Sequence, residues 1–185
     1  MQAARIPPLL RTNPDLAILL AATAEFALPD AWLVAGALNQ AVWNHLHNFP
    51  PGHGIQDIDL IYHDPTDLSA ESEAAHETRL RRRFGLPLDV KNQARVHLWY
   101  PYRFGRAIEP YTSSQAAIAT FPTTATAIGI SLANPAVIHA PFGLNDLLAM
   151  VVRPNRALVG PAVYAEKTRR WAALWPRLTI LPWAS

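Results

Sequence analysis

The segment Gln56-Asp57-Ile58-Asp59-Leu60-Ile61-Tyr62 constrains the fold of this chain more than any other stretch. Its β-rich pattern predicts a strand over 55–63, and side chains two apart on a strand share a face. Asp57 and Asp59 therefore fall together, with Ile58 and Leu60 turned toward a core. Two carboxylates that close repel each other, and burying either is costly unless a cation compensates. A divalent metal held by oxygen ligands is the simplest compensation. The plain alternative is a strand end dipping into solvent after a Gly-rich loop. An isolated Asp-x-Asp fits that alternative better, so the surrounding chain has to decide.

The chain has 185 residues, half of them hydrophobic and 16% charged, which predicts one domain with a substantial core rather than disorder. No apolar run approaches the roughly 20 residues that span a bilayer, so no membrane association is expected. The start, Met1-Gln2-Ala3-Ala4-Arg5-Ile6-Pro7-Pro8, carries no signal-peptide apolar stretch. Cysteine is absent, which excludes disulfides and thiolate metal sites. Together these predict a cytoplasmic protein. A formal charge of +2 permits a nucleic-acid or nucleotide partner without calling for either.

Asn13-Pro14 reads as an N-cap with proline at the first helical position, opening a helix over 14–26. Residues 32–35 form a short apolar run, strand or helix start, closed by Gly36. A helix follows over 37–47, then a loop over 49–54. Ser69 caps the next helix, with Glu71 and Glu73 in its first turn and Arg79, Arg81, Arg82 and Arg83 in its last. That polarity suits the helix dipole, and explains the arginines better than a nucleic-acid grip does. Gly85 ends the helix, and 87–92 reads as a second strand. The aromatic 96–100 stretch is expected as a strand or an irregular packed segment. Thr112-Ser113-Ser114-Gln115 is a capping box opening a helix to 120. Strand character follows at 126–132 and 137–139, helices at 143–150 and 160–175, and a last strand at 178–181. Helices and strands interleave, so the class is α+β, a small mixed β-sheet with packed helices.

If the strands over 55–63 and 87–92 are neighbours, Asp89 completes a three-carboxylate cluster with Asp57 and Asp59, because adjacent strands lie about 4.8 Å apart. Such a cluster suits one or two Mg²⁺ ions (or Mn²⁺) that take further ligands from substrate phosphates. Lys91 shares the Asp89 face and can hold a triphosphate or form a strand-end ion pair. Gln93 and Arg95 are candidate base or ribose contacts. The histidines show no zinc spacing: His45 and His47 point to different sides of a helix, and His53 sits in a loop. Trp99-Tyr100-Pro101-Tyr102 could stack a base or pack as core or lid. Trp171, Trp175 and Trp183 read as a packing set. No nucleophile elbow and no Walker-type loop is present.

A Gly-ended strand, a helix, a strand carrying Asp-x-Asp and a later strand carboxylate together resemble the plan of the DNA polymerase β-like nucleotidyltransferase superfamily. Four blocks are similar to those of a bacterial nucleotidyltransferase-like family within it. They are Val34-Ala35-Gly36-Ala37-Leu38-Asn39-Gln40-Ala41-Val42-Trp43-Asn44, Asp57-Ile58-Asp59, Val90-Lys91-Asn92-Gln93-Ala94-Arg95-Val96-His97-Leu98-Trp99-Tyr100 and Ala140-Pro141-Phe142-Gly143-Leu144-Asn145-Asp146-Leu147.

The resemblance implies a nucleotidyltransferase (polymerase β-like) fold and transfer of a nucleoside monophosphate from an NTP, ATP first, to an acceptor the sequence does not name. By position, Asp57 and Asp59 match metal ligands and Asp89 the third carboxylate of the site. Gly36, Ala37, Lys91, Asn92, Gln93 and Arg95 fall where nucleotide-binding residues are expected. The chain departs from the pattern in three places. Gln56 precedes Asp57. Ala37 stands where a hydroxyl side chain often touches the terminal phosphates. An extra segment over 43–54 lengthens the path from Gly36 to Asp57. The Ala37 departure keeps a second reading open, a catalytically inactive nucleotide-binding or regulatory module of the same fold.

Overall fold

A computed structural model describes residues 3–183. Met1 and Gln2, the first residues of the segment read above for a signal peptide, lie outside the described residues. A five-stranded sheet runs in the order β3-β2-β1-β4-β5. Its strands are β1 (Trp32–Val34), β2 (Ile58–Tyr62), β3 (Leu88–Asn92), β4 (Gly129–Ser131) and β5 (Ile138–His139). β1 is antiparallel to both β2 and β4, β4 to β5, and β2 runs parallel to β3. A parallel pair needs a crossover, and α4 (Ala70–Phe84) supplies it. A two-stranded parallel sheet pairs β6 (Val151–Val152) with β7 (Thr179–Ile180).

The remaining helices are α1 (Ile6–Leu10), α2 (Pro14–Ala21), α3 (Ala35–His47), α5 (Val96–Phe104), α6 (Ser114–Ile118), α7 (Asn145–Leu148) and α8 (Pro161–Leu174). Several begin where the sequence places a cap. The Asn13 side chain accepts from the amides of Asp15 and Leu16, and Ser69 accepts from that of Ser72. The capping residue of α6 is Ser113, one residue later than expected, and it accepts from Ala116 N. Gly85, left-handed at φ 65°, ends α4.

Four expectations change. The strand expected over 55–63 is shorter, because its entrance is tied elsewhere: Asn44 Nδ2 donates to the carbonyls of Pro51 and His53, and Asn13 Nδ2 also donates to Pro51. Pairing therefore begins at Ile58, whose amide donates to Pro87 O. The aromatic stretch is not a strand but α5, which carries Pro101 internally and ends at Gly105 in the left-handed region. The helix expected over 14–26 stops at Ala21, and a 3-10 turn covers Thr23–Glu25. α1 and β6 were not foreseen; both are too short to show a periodicity.

The sheet divides the interior. Ile58, Leu60 and Tyr62 of β2 join Leu88 and Val90 of β3 in the main core, together with Leu38, Val42 and Trp43 of α3, Trp171 of α8 and Trp175 just after it. On the other face a smaller cluster holds Trp32, Val34, Ile61, Ile118 and Ala127. The alternation of β2 and β3 thus sends Asp59, Asp89 and Lys91 away from the main core. Trp171 and Trp175 pack on Trp43 with ring centroids 5.6 and 5.5 Å apart, while Trp183 sits on Tyr164 at 5.6 Å.

Candidate functional site

Parallel pairing of β2 and β3 sets Asp59 directly opposite Asp89. Asp57 lies exposed just ahead of β2, on the same side by alternation. All three line a cleft of about 480 Å³ that also takes in Gly36, Lys91 and Gln93. Six of the nine residues singled out from the sequence therefore meet in one place.

The turn from β1 into α3 forms one wall. Ala35 adopts φ 37°, an uncommon left-handed conformation for a residue with a side chain. Gly36 follows with non-helical angles, φ 8° and ψ −94°. A Cβ on Gly36 would overlap Asp59 Oδ2. Glycine is required here because the carboxylate packs against the bare backbone. Backbone strain held beside a carboxylate is the kind of feature that gathers at working sites.

Burial pushes the Asp59 carboxyl up to about 7, and the neighbouring charges of Asp57 and Asp89 push the same way, against opposition from Lys167 and Lys91. At neutral pH the group is thus shared between its charged and protonated forms. Lys91 Nζ lies 2.6 Å from Asp89 Oδ1 and 3.1 Å from Glu77 Oε2. Burial works to lower the Lys91 pKa, but its hydrogen bonds to those two carboxylates outweigh it and the ammonium is held above its ordinary value. Among the described residues, no three His, Asp or Glu side chains are gathered so as to hold a metal ion as they stand. Asp89 faces an ammonium instead.

The other three singled-out residues do not line the cleft. Ala37 is buried in the main core. Asn92, also buried, is fully engaged: Oδ1 accepts from the amides of Asp64 and Ala94, and Nδ2 donates to the carbonyls of Asp64 and Asp67. Arg95 pairs with Glu73 at 2.9 Å and donates to Leu68 O. Asn92 and Arg95 thus fasten the loop after β2 to the end of β3.

His47 and His53 are structural. His47 Nδ1 meets Trp43 O at 2.8 Å while Nε2 accepts from Arg177 N, which fixes the neutral Nδ1–H tautomer. His53 Nε2 meets Leu174 O at 3.1 Å, and its ring packs on Trp175. The extra segment after Trp43 is thereby an anchor: Trp175 Nε1 donates to Asn44 Oδ1, and the same Asn44 holds the loop before Asp57.

Lys167, Arg170, Gln40 and Phe104, which sequence reasoning passed over, complete the cleft together with Trp171, read as a packing residue, and Trp99 and Tyr100, read as base-stacking or packing residues. Lys167, Arg170 and Trp171 enter from α8, and Gln40 from α3. Trp99, Tyr100 and Phe104 of α5 make an aromatic wall. The available signal was the α8 stripe Val163, Lys167, Arg170 and Trp171, spaced along one helical face with cations on its apolar side.

Comparison with known proteins follows this geometry. The family model described as Nucleotidyltransferase matches residues 21–180. No curated protein is significantly similar to the chain. An NMR structure described as revealing a CCA-adding enzyme head domain is 28% identical, with TM-score 0.78 over 96% of this chain and 94% of that one. The Thermotoga maritima CCA-adding enzyme complexed with tRNA shares the fold at TM-score 0.53 and 14% identity, and matches 96% of this chain over 42% of its own. The small mixed sheet with its packed helices is accordingly that of nucleotidyltransferase head domains, and the chain belongs to this nucleotidyltransferase family.

Proposed function

We propose that the protein transfers a nucleoside monophosphate from an NTP, ATP in the first instance, to an acceptor hydroxyl or phosphate, using Mg²⁺ or Mn²⁺ held by Asp57, Asp59 and Asp89. The observation that carries this reading is the register placing Asp59 beside Asp89, with Asp57 at the strand entrance, in a cleft floored by the Gly36 turn. The donor set is all oxygen, which suits a hard cation. Burial raises the Asp59 pKa and the charges of Asp57 and Asp89 add to it, and a divalent ion beside the carboxylate would offset both. A bound divalent ion would polarise the transferred phosphoryl group and offset charge on the leaving pyrophosphate.

The chain's own groups have definable parts in this. Asp57 and Asp59 supply oxygen ligands from one strand face. Asp89, once released from Lys91, lies where it can accept the proton of an acceptor hydroxyl. Lys91 then has Glu77 as its remaining partner and stays in the cleft as a cation. Gly36 lets the nucleotide approach the start of α3 without a side chain between. We place this activity in the cytoplasm.

Calorimetry with a non-hydrolysable NTP tests the reading. Binding should require Mg²⁺ and disappear in Asp57→Asn/Asp59→Asn, with folding intact. Unchanged affinity in the double variant contradicts it. Labelled NTP with candidate acceptors, RNA ends and small alcohols among them, then separates a working transferase from an inert module. Metal-dependent release of pyrophosphate marks the first.

A further inference from the structure

The family reading assigns residues on the strands and on the β1–α3 turn, but none on α8. Yet α8 sends two cations into the cleft, Lys167 and Arg170. Neither has a hydrogen bond or ion pair among the described residues, unlike Lys91, which pairs with Asp89 and Glu77. The next residue, Trp171, also lines the cleft and is only 5% exposed, and its indole Nε1 has no hydrogen-bond partner. An indole N–H can only donate, and a buried donor without an acceptor is costly. Gln40 of α3 also lines the cleft, 7% exposed with an unpartnered Oε1, and turning its amide over presents two N–H donors. Two cations without a hydrogen bond or ion pair, a buried indole donor and a buried amide therefore line one cleft.

Donors and cations without acceptors describe an anion site. We propose that Lys167, Arg170, Trp171 and Gln40 form the subsite that grips the terminal phosphates of the nucleotide. This rests on the nucleotidyltransferase reading of the carboxylates and supplies what Ala37 lacks, since no hydroxyl is available at the start of α3. Location favours a triphosphate tail over a polynucleotide backbone. The subsite shares its cleft with Gly36 and the carboxylates, and Lys167 acts electrostatically on Asp59 itself. A tail held there leaves its α-phosphate at the carboxylates. Charge fits as well. Asp57, Asp59 and Asp89 are matched in the cleft by Lys91, Lys167 and Arg170, so a polyanion meets no net negative charge there.

The test uses inorganic tripolyphosphate in EDTA at low ionic strength, so that neither metal nor nucleotide base contributes. Calorimetry should show binding to the wild type, tighter binding to Asp59→Asn, and at least about tenfold weaker binding to Lys167→Ala/Arg170→Ala. Trp171→Phe keeps an aromatic ring and removes the donor; it should lose several-fold in tripolyphosphate affinity while circular dichroism shows the native fold, with a lower melting temperature from the smaller ring. A wild type that binds no tripolyphosphate, or a double variant that binds it as well as wild type, overturns the subsite. So does a double variant that loses affinity for a single-stranded oligoribonucleotide but not for tripolyphosphate. With Mg²⁺ present, the double variant should weaken ATP while leaving AMP within twofold. Because the tripolyphosphate result needs no metal, it stands or falls separately from Mg²⁺-dependent nucleotide binding.

Discussion

Asp59 is half-buried on its strand, against a glycine backbone and beside two other carboxylates. Its carboxyl sits at about 7 against an ordinary 3.8. The folded state therefore keeps a proton that the unfolded chain has already lost. Below about pH 4 both states are protonated and the site costs nothing. As pH rises toward 7 the unfolded chain ionises alone and stability falls; above 7 the loss is complete. Asp59→Asn removes this dependence. It should stabilise the metal-free protein by up to about 4 kcal/mol at pH 8 and by almost nothing at pH 4, as urea unfolding at the two pH values would show. Gly36→Ala puts a methyl group where Asp59 Oδ2 lies. Either the carboxylate or the turn must move, so we expect a loss of about 1–3 kcal/mol in stability and a nucleotide affinity reduced by more than about tenfold. Thermal melts and calorimetry on one preparation check both.

Among the elements, the strands that carry Asp59 and Asp89 and the helices α3 and α8 were legible in the sequence; α5, and the way the helices enclose the carboxylates, were not. Alternation is a local property, so the pairing of Asp57 with Asp59 on one face and of Asp89 with Lys91 on another followed from spacing alone. Whether the two strands were neighbours did not follow, since pairing depends on the α4 crossover. The roles of Asn92 and Arg95 were beyond reach for the same reason: their partners, Asp64, Asp67, Leu68 and Glu73, become visible only once α4 folds back. α5 was misread because its aromatic residues favour strands intrinsically, while its packing and the Gly105 terminus select a helix. α8 showed its amphipathic stripe but not that the stripe borders a cleft. Asn44 ties three of these elements together, holding the loop before β2 with one end of its amide and α8, through Trp175, with the other. Asn44→Ala leaves a buried indole N–H and the His53 carbonyl without partners, while the Pro51 carbonyl keeps Asn13. It should cost about 2–4 kcal/mol and loosen Asp57, with faster amide exchange in the 51–58 segment as the second sign.

For the molecule as a whole, the cleft is where the sheet, α3, α5 and α8 meet, so a ligand that fills it braces all of them. No helix among the described residues is long and apolar enough to cross a membrane. A nucleotide at about a hundred times its dissociation constant adds about 2.7 kcal/mol, which for a chain of this size raises the melting temperature by about 5–10 °C. Mg²⁺ with a non-hydrolysable NTP should produce that shift in the wild type, and none in Asp57→Asn/Asp59→Asn. The central claim is that the carboxylates of β2 and β3 bind a metal that carries a nucleotide. Crystals grown with a non-hydrolysable NTP and Mn²⁺, measured for anomalous scattering, test it most directly. The account predicts a manganese peak within ligand distance of Asp57 and Asp59, with Lys91 withdrawn from Asp89 and the phosphates lying toward α8. A nucleotide bound in the cleft with no anomalous peak at the carboxylates would contradict it.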